Sequence, residues 1–367
     1  MSRLRVLIPA LSAKSYGGES YFRSILPVLA RRDDVECIVI APDKRFVPQC
    51  PPGGAVRIVH VAVPSLFRGP ARVAWEQAAL PRLARQYGAQ LVFTANNSGL
   101  LLSSVPCVIA VRNMEPLTPI WPGTPVRMRL RIALLAYSTR ASARAATRVV
   151  AVSNFVRDAL LGLGVPETKI DVIYHGVNDL SRPDLTTPRS GGFMAAAAKF
   201  VRYANLETMI RAYARLRKDG YRGELRVAGG PHDTGYERKV RSLVRDLSLE
   251  NSVRFLGYRP REEVHALMRE SDAFLFPSML EACPFTLLEA MSQGAAIVAT
   301  TALPMPEFAN DGALLVAPRD DAAFADAARR AMTDSTLRAR ARTRAAIFRW
   351  DDTIDRLIRC WRTAAQQ

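Results

Sequence analysis

The sequence predicts an α/β protein made of two doubly wound parallel sheets that face each other across a cleft. Three observations carry this prediction. Short aliphatic or β-branched runs alternate with amphipathic helical stretches through most of the chain, the βα alternation of a parallel sheet. The alternation lapses at 181–192, SRPDLTTPRSGG, where prolines, glycines and polar residues mark a linker. It then restarts with a second set of strands and helices of the same kind, so that the cleft is expected where the two sets meet.

The elements follow in order. RVLIPAL (5–11) reads as the first strand. MSRLRVLIPALSA has the charges, apolar run and small residues of a secretory leader, but its apolar run is short and a strand–loop–helix pattern follows directly. A helix near 18–31 leads to the strand ECIVIAP (36–42), and QLVFTAN, PCVIAVRN, RVVAVS and DVIYHG supply further strands. Beyond the linker come GFMAAAAKF, a helix at 205–218, ELRVAGG, a helix at 235–248, VRFLGY and a helix at 260–270. AFLFPS, a helix at 285–293 and AAIVATT close the series. These set domains of 1–182 and 183–349.

Composition narrows the function classes. At 367 residues the chain exceeds one ordinary core, and 49% hydrophobic residues exclude disorder as the main state. The formal charge of +17 comes almost wholly from arginine and suits anionic partners such as phosphates or an acidic membrane. Five scattered cysteines without a C-x-x-C pair fit neither a disulfide framework nor a zinc site, and point to a reducing cytoplasm. No apolar run approaches the ~20 residues that span a bilayer. Two stretches, 64–88 and 124–148, are Arg-rich and amphipathic. The second interleaves Arg127, Arg129, Arg131, Arg140, Arg144 and Arg148 with Leu, Ile and Ala. Each is either a solvated helix face or a surface that docks on anionic lipid.

The stretch FPSMLEACPFTLLEAM (276–291) holds two carboxylates, Glu281 and Glu289, in a setting that otherwise reads as core. A buried unpaired charge is expensive, so each must be solvated, paired or met by a ligand. Glu281 falls in the loop beyond a strand's C-terminal end. Pro284 suits the first position of the next helix, and Gly294 its end. The N–H groups of Phe285, Thr286 and Leu287 then lack helical partners and form an anion site favoured by the helix dipole. Glu289, one turn further in, could meet the vicinal hydroxyls of a sugar. The spacing alone leaves open that Glu289 only complements the helix end and that Glu281 is solvated.

DAFLFPSMLEACPFTLLEAMSQGAAIVAT resembles the signature of the family 4 (group 1) glycosyltransferases, with their E-x7-E motif and GT-B fold of two Rossmann-like domains. YGGESYFRSIL, VAVSNFVRDAL, IYHGVN, NLETMIRAYARL, ELRVAGG and NSVRFLGY agree with that family in order. The resemblance implies that Glu289 binds the ribose hydroxyls of a nucleotide-diphosphate donor. It implies that Glu281 contacts the transferred sugar, and that the amides at Phe285–Leu287 hold the diphosphate. Gly17 and Gly18 would let backbone approach the same phosphates, Gly229 of ELRVAGG would line the donor site, and Tyr258 and Arg259 resemble the segment beside the base. It also implies that the helix near 352–365, within 350–367, packs back on the first domain.

Two departures from the family pattern stand out. Aligned through AKFVRYANLE, the usual Arg…Lys pair that grips the diphosphate falls on Lys199 and Ala204, so one cation is missing. Lys199 keeps charge but loses the bidentate fork, and Arg202 is the candidate replacement for the other. Where many relatives carry a His after a strand like PCVIAV, this chain has Arg112 and Asn113, candidates for phosphate charge and a sugar hydroxyl. Asn96 and Asn97 in TANNSG could meet the acceptor or form a turn. His175 reads as a hinge-packing residue, and His60, His232 and His265 show no catalytic neighbour or metal spacing.

The expectation is a retaining, metal-independent glycosyltransferase with no cofactor. It would move a sugar from a nucleotide-diphosphate donor, bound by the second domain, to a saccharide or lipid-linked acceptor, bound by the first. Bacterial cell-surface polysaccharide assembly is the expected setting: cytoplasmic, on the inner face of the plasma membrane, and without nucleic acid. A sugar-nucleotide epimerase of the same fold, or a catalytically weak binding or scaffold protein, remains the alternative.

Overall fold

The computed structural model describes residues 3–11, 16–41, 54–61, 70–122, 124–177, 192–230 and 232–367. The linker expected at 181–192 thus lies outside the described residues, apart from Gly192. The chain divides into two compact units, Met1–Gly176 with Trp350–Gln367, and Val177–Arg349.

In the first unit β1 (Leu4–Pro9), α1 (Tyr16–Ala30), β2 (Val35–Ala41) and β3 (Val56–His60) are followed by α2 (Pro70–Gln86), β4 (Leu91–Thr94) and β5 (Cys107–Val111). Then come α3 (Val126–Ala145), β6 (Arg148–Ala151), α4 (Asn154–Gly162) and β7 (Ile170–Val172). All seven strands are parallel, in the order β3-β2-β1-β4-β5-β6-β7, with Val6 beside Cys37 and Ile109 beside Val149. Central strands buried on both faces need continuous apolar runs, and β4 and β5 have no exposed residue. The edge strand β3 is half-exposed and its VRIVH alternates, which explains why it escapes a reading based on apolar runs.

The second unit continues with β8 (Phe193–Ala197), α5 (Leu206–Lys218), β9 (Glu224–Ala228), α6 (Thr234–Asp246), β10 (Val253–Gly257) and α7 (Arg261–Glu270). β11 (Phe274–Phe276), α8 (Phe285–Ser292), β12 (Ile297–Thr300), α9 (Met305–Ala309), β13 (Leu314–Val316), α10 (Asp321–Thr333) and α11 (Leu337–Ala345) complete it. Its strands are again all parallel, in the order β10-β9-β8-β11-β12-β13. On α5, Leu206, Met209, Ile210, Tyr213 and Leu216 are buried at helical spacing, and they form the core with Val240 of α6 and Phe324 of α10. The last helix, α12 (Trp350–Ala365), returns to the first unit. There Trp361 packs on Phe93, Thr353 donates to the Tyr174 carbonyl, and Arg32 pairs with Asp355.

Both sheets reverse direction of growth at one place. The chain runs outward from β1 to β3, then restarts on the other side of β1 with β4, and it does the same from β8 to β10 before restarting at β11. Loops leaving the two strands at such a point diverge and open a crevice at the carboxyl ends.

Candidate active site

In the second unit the switch point lies between β8 and β11. The loop after β8 carries Lys199, exposed to solvent, and the loop after β11 carries Ser278 and Glu281. The two loops are tied together at backbone level. Asn205, buried and at φ 54°, donates from Nδ2 to the Pro277 carbonyl at 3.1 Å, and the Met279 N–H donates to Tyr203 O at 2.8 Å. Thr300 at the end of β12 donates to Ser278 O at 2.5 Å. Asparagine is among the few residues that tolerate the left-handed conformation, and Thr208 Oγ1 donates to its Oδ1.

That frame sets the state of Glu281. Ser278 Oγ donates to Glu281 Oε1 at 2.9 Å. Burial of the carboxyl nonetheless raises its pKa to about 7, against the opposing pull of the Ser278 hydroxyl and the Lys199 charge. Near neutrality Glu281 is therefore poised between accepting and donating a hydrogen bond.

The loop ends at α8. Pro284 is the cap rather than the first helical residue, and Phe285 begins the helix where the expected span of 285–293 starts. The Phe285 N–H is also not open, because it donates to Cys283 O at 2.8 Å. Among the described residues, the N–H groups of Thr286 and Leu287 make no hydrogen bond. Of the three amides expected to meet an anion, two are thus open, with the positive end of the helix dipole behind them. The reason is local: a proline cap has no side-chain acceptor, and the tight Cys283–Phe285 turn consumes one donor.

Glu289 lies one turn inside α8 and is neither solvated nor unpaired. Arg261, the first residue of α7, donates from Nη2 to Glu289 Oε1 at 2.8 Å and from Nε to His265 Nε2 at 3.3 Å. His265 Nε2 stands 3.9 Å from the same carboxylate oxygen. The fold thus gives His265 a charged neighbour that its sequence context does not show. The sequence gives no sign of Arg261 in this role, because its partner is 28 residues away and only the packing of α7 on α8 brings them together.

The backbone at Gly229 and Gly230 packs against Ala198 and Tyr258. Gly229 has φ +110°, and a Cβ there would lie 1.9 Å from the Ala198 carbonyl oxygen, so only glycine fits where the end of β9 crosses the loop before Lys199. A Cβ on Gly230 would sit 3.0 Å from the Tyr258 ring, and the Phe200 N–H donates to Gly230 O. Arg259 is 3.9 Å from Glu263. Arg202, the candidate second cation, lies 3.7 Å from Asp233, the cap of α6. Ala204 is buried in the core of the unit.

In the first unit the predicted residues gather where β4 and β5 end. Asn97 Oδ1 accepts from the N–H groups of both Arg112 and Asn113, at 2.9 and 3.0 Å, and its Nδ2 donates to Asn113 O. Asn96 Oδ1 accepts from the Ser98 N–H in an Asx turn. Arg112 stacks 3.8 Å above the Tyr21 ring and donates to Ala95 O and to His175 Nε2. His175 is buried against Tyr21 and Trp350. Its burial and the neighbouring Arg112 charge hold it well below the ordinary histidine range, so it stays neutral. Asn113 is exposed. Gly17 and Gly18 lie in the first turn of α1, and the residues just before it, 12–15, are outside the described ones.

Residues 178–347 match the family of glycosyl transferases group 1, and residues 16–179 match glycosyltransferase family 4. Over 171 residues the chain is 30% identical to WcaL of Salmonella typhimurium, named for a colanic acid biosynthesis glycosyltransferase, across 44% of this chain and 41% of that one. It is 33% identical over 153 residues to the D-inositol 3-phosphate glycosyltransferase of Corynebacterium kroppenstedtii, across 40% and 34% respectively. The chain thus spans less than half the length of these curated relatives. Among solved structures, sucrose-phosphate synthase from Thermosynechococcus elongatus superposes with a TM-score of 0.76 at 18% identity, covering 98% of this chain and 99% of that one. Anabaena HepE in complex with UDP-glucose superposes with a TM-score of 0.73 at 18% identity, over 100% of both. The fold is GT-B, and the chain belongs to the group 1 glycosyltransferases of family 4.

Proposed function

We propose that the chain is a retaining, metal-independent glycosyltransferase. It moves a sugar from a nucleotide-diphosphate donor to a saccharide or lipid-linked acceptor in bacterial cell-surface polysaccharide biosynthesis. Its place is the cytoplasm, on the inner face of the plasma membrane, where a lipid-linked acceptor would be met. One observation carries the reading: Lys199, Glu281 and the two unpaired amides of α8 surround the switch point of the second unit, with Glu289 one turn beyond.

The chemistry fits these groups. Breaking a glycosyl phosphate puts positive character on the anomeric carbon and negative charge on the leaving diphosphate. Lys199 and the Thr286 and Leu287 amides supply fixed positive charge for the phosphates. Glu289 keeps one oxygen on Arg261 and offers the other to the ribose hydroxyls. Glu281 contacts the transferred sugar, and the walls beside the base are Gly229, Tyr258 and Arg259. In the first unit Asn113 faces the acceptor, with Asn97 holding its loop and Arg112 its base. The relatives named for colanic acid and amylovoran biosynthesis support the polysaccharide setting. HepE, solved with UDP and with UDP-glucose, makes uridine nucleotides the first donors to try. Retention rests on the family.

A second reading is favoured by Ala204, whose burial leaves no cation at its position. On that reading the protein binds nucleotide sugars without turnover. A panel of radiolabelled nucleotide sugars, assayed with EDTA present, separates these readings. Transfer or slow hydrolysis supports the enzyme, epimer formation or binding alone supports the rivals, and absence of all binding at millimolar donor overturns the proposal.

A further inference from the structure

The helix α3 buries one face against the first unit and leaves an apolar stripe exposed on the other. Ile132, Thr139, Ser142 and Ala143 are buried against the first unit. Val126, Leu130, Leu134 and Tyr137 are 70%, 68%, 55% and 73% exposed. Their spacing of i, i+4, i+8 and i+11 puts them within about 80° of arc, opposite the line of Ile132, Thr139 and Ala143. Arg127 and Arg131 flank this outer stripe on one side, Arg129 and Arg140 on the other. Among the described residues, none of these four arginines pairs with a carboxylate. The reason lies in the sequence, which has no acidic residue between Glu115 and Asp158.

We infer that the outer face of α3 docks on an anionic phospholipid bilayer. An exposed apolar stripe between rows of uncompensated arginine matches a lipid surface twice over: leucine and tyrosine enter the headgroup–acyl boundary, and the arginines reach lipid phosphates. No described helix is long and apolar enough to cross a membrane, so α3 lies in the interface plane. This deepens the membrane placement proposed above by naming the surface and the lipid class that effect it. It does not depend on the transfer chemistry.

The test is cosedimentation of the full chain with vesicles of phosphatidylcholine alone, or with one third phosphatidylglycerol. Nucleotide binding is measured in parallel, so that failure of docking is distinguishable from failure of the donor site. Binding is expected to the anionic vesicles and to fall with added salt. The pair Arg127→Glu and Arg131→Glu should weaken it at least 25-fold, from about 5-fold per arginine. The pair Leu130→Ser and Leu134→Ser should weaken it roughly 10-fold or more. All four sites are exposed, so circular dichroism and nucleotide affinity should stay at wild-type values. Equal binding to both vesicle types, or unchanged binding in either pair, overturns the inference. So does a concentration-dependent dimer abolished by the leucine pair, which would assign this face to a second copy of the chain.

Discussion

Replacing Glu281 with glutamine should stabilise the second unit above neutral pH. In the folded chain burial lifts this carboxyl from its ordinary 4.5 to about 7, so the folded state holds the proton over a range where the unfolded chain has lost it. Its contribution is fully present below about pH 4.5 and drains away as pH rises through about 7. Each pH unit between those values is worth about 1.36 kcal/mol, which makes the loss about 3 kcal/mol at pH 8. Glutamine keeps the shape and cannot ionise. The variant should match wild type near pH 4.5 and exceed it by about 2–3 kcal/mol at pH 8. Urea unfolding followed by far-ultraviolet circular dichroism at a series of pH values measures this. All the tryptophans, Trp75, Trp121, Trp350 and Trp361, fall in the first unit, so their fluorescence reports a transition that should not move and serves as the control. If the two proteins keep the same stability at every pH, the carboxyl is solvated and its proposed poise is wrong. Turnover in the same variant should fall, since a group built for a substrate is expected to cost stability.

Other expectations follow from the same geometry. Glu289→Ala should weaken nucleotide-diphosphate binding about 10- to 100-fold, as loss of charged hydrogen bonds implies. Arg261→Ala should weaken it several-fold through the unheld carboxylate, with partial rescue by Arg261→Lys. Titration calorimetry with UDP measures both, and equal negligible effects would return the pair to a purely structural role. Lys199→Ala should lower diphosphate affinity about tenfold, whereas Arg202→Ala, whose guanidinium faces Asp233, should change it by no more than about threefold. A larger loss in the second would make Arg202 the cation that Ala204 lacks. Gly229→Ala should destabilise the second unit by about 3–5 kcal/mol in chemical unfolding, because its Cβ would lie 1.9 Å from a backbone carbonyl oxygen at a φ of +110°.

The legible parts of the candidate site were those whose function is carried by chain neighbours. Glu281, Pro284 and Glu289 lie in one loop-and-helix segment, and their spacing already implies a helix start with a carboxylate on either side. The donors of that helix start could not be counted in advance, since the Cys283–Phe285 turn takes one amide through a detail of φ and ψ. For Asn96 and Asn97 the sequence allows either acceptor contact or a turn. The bonds Asn97 makes to Arg112 and Asn113 tie two loops whose neighbourhood comes from strand order.

Most strand and helix identities as far as β12, the edge strand β3 excepted, the division into two α/β sets and the family were available from residue order alone. A parallel strand buried on both faces must be a continuous apolar run, and a helix covering it must repeat every three to four residues. Those constraints act over a few neighbours and leave their mark in the chain. The ion pair of Arg261 with Glu289, the raised pKa of Glu281, the stacking of Arg112 on Tyr21 and the exposure of the apolar stripe of α3 depend on which elements pack together. Desolvation and pairing are set by atoms distant in sequence and close in space, and no local pattern records them.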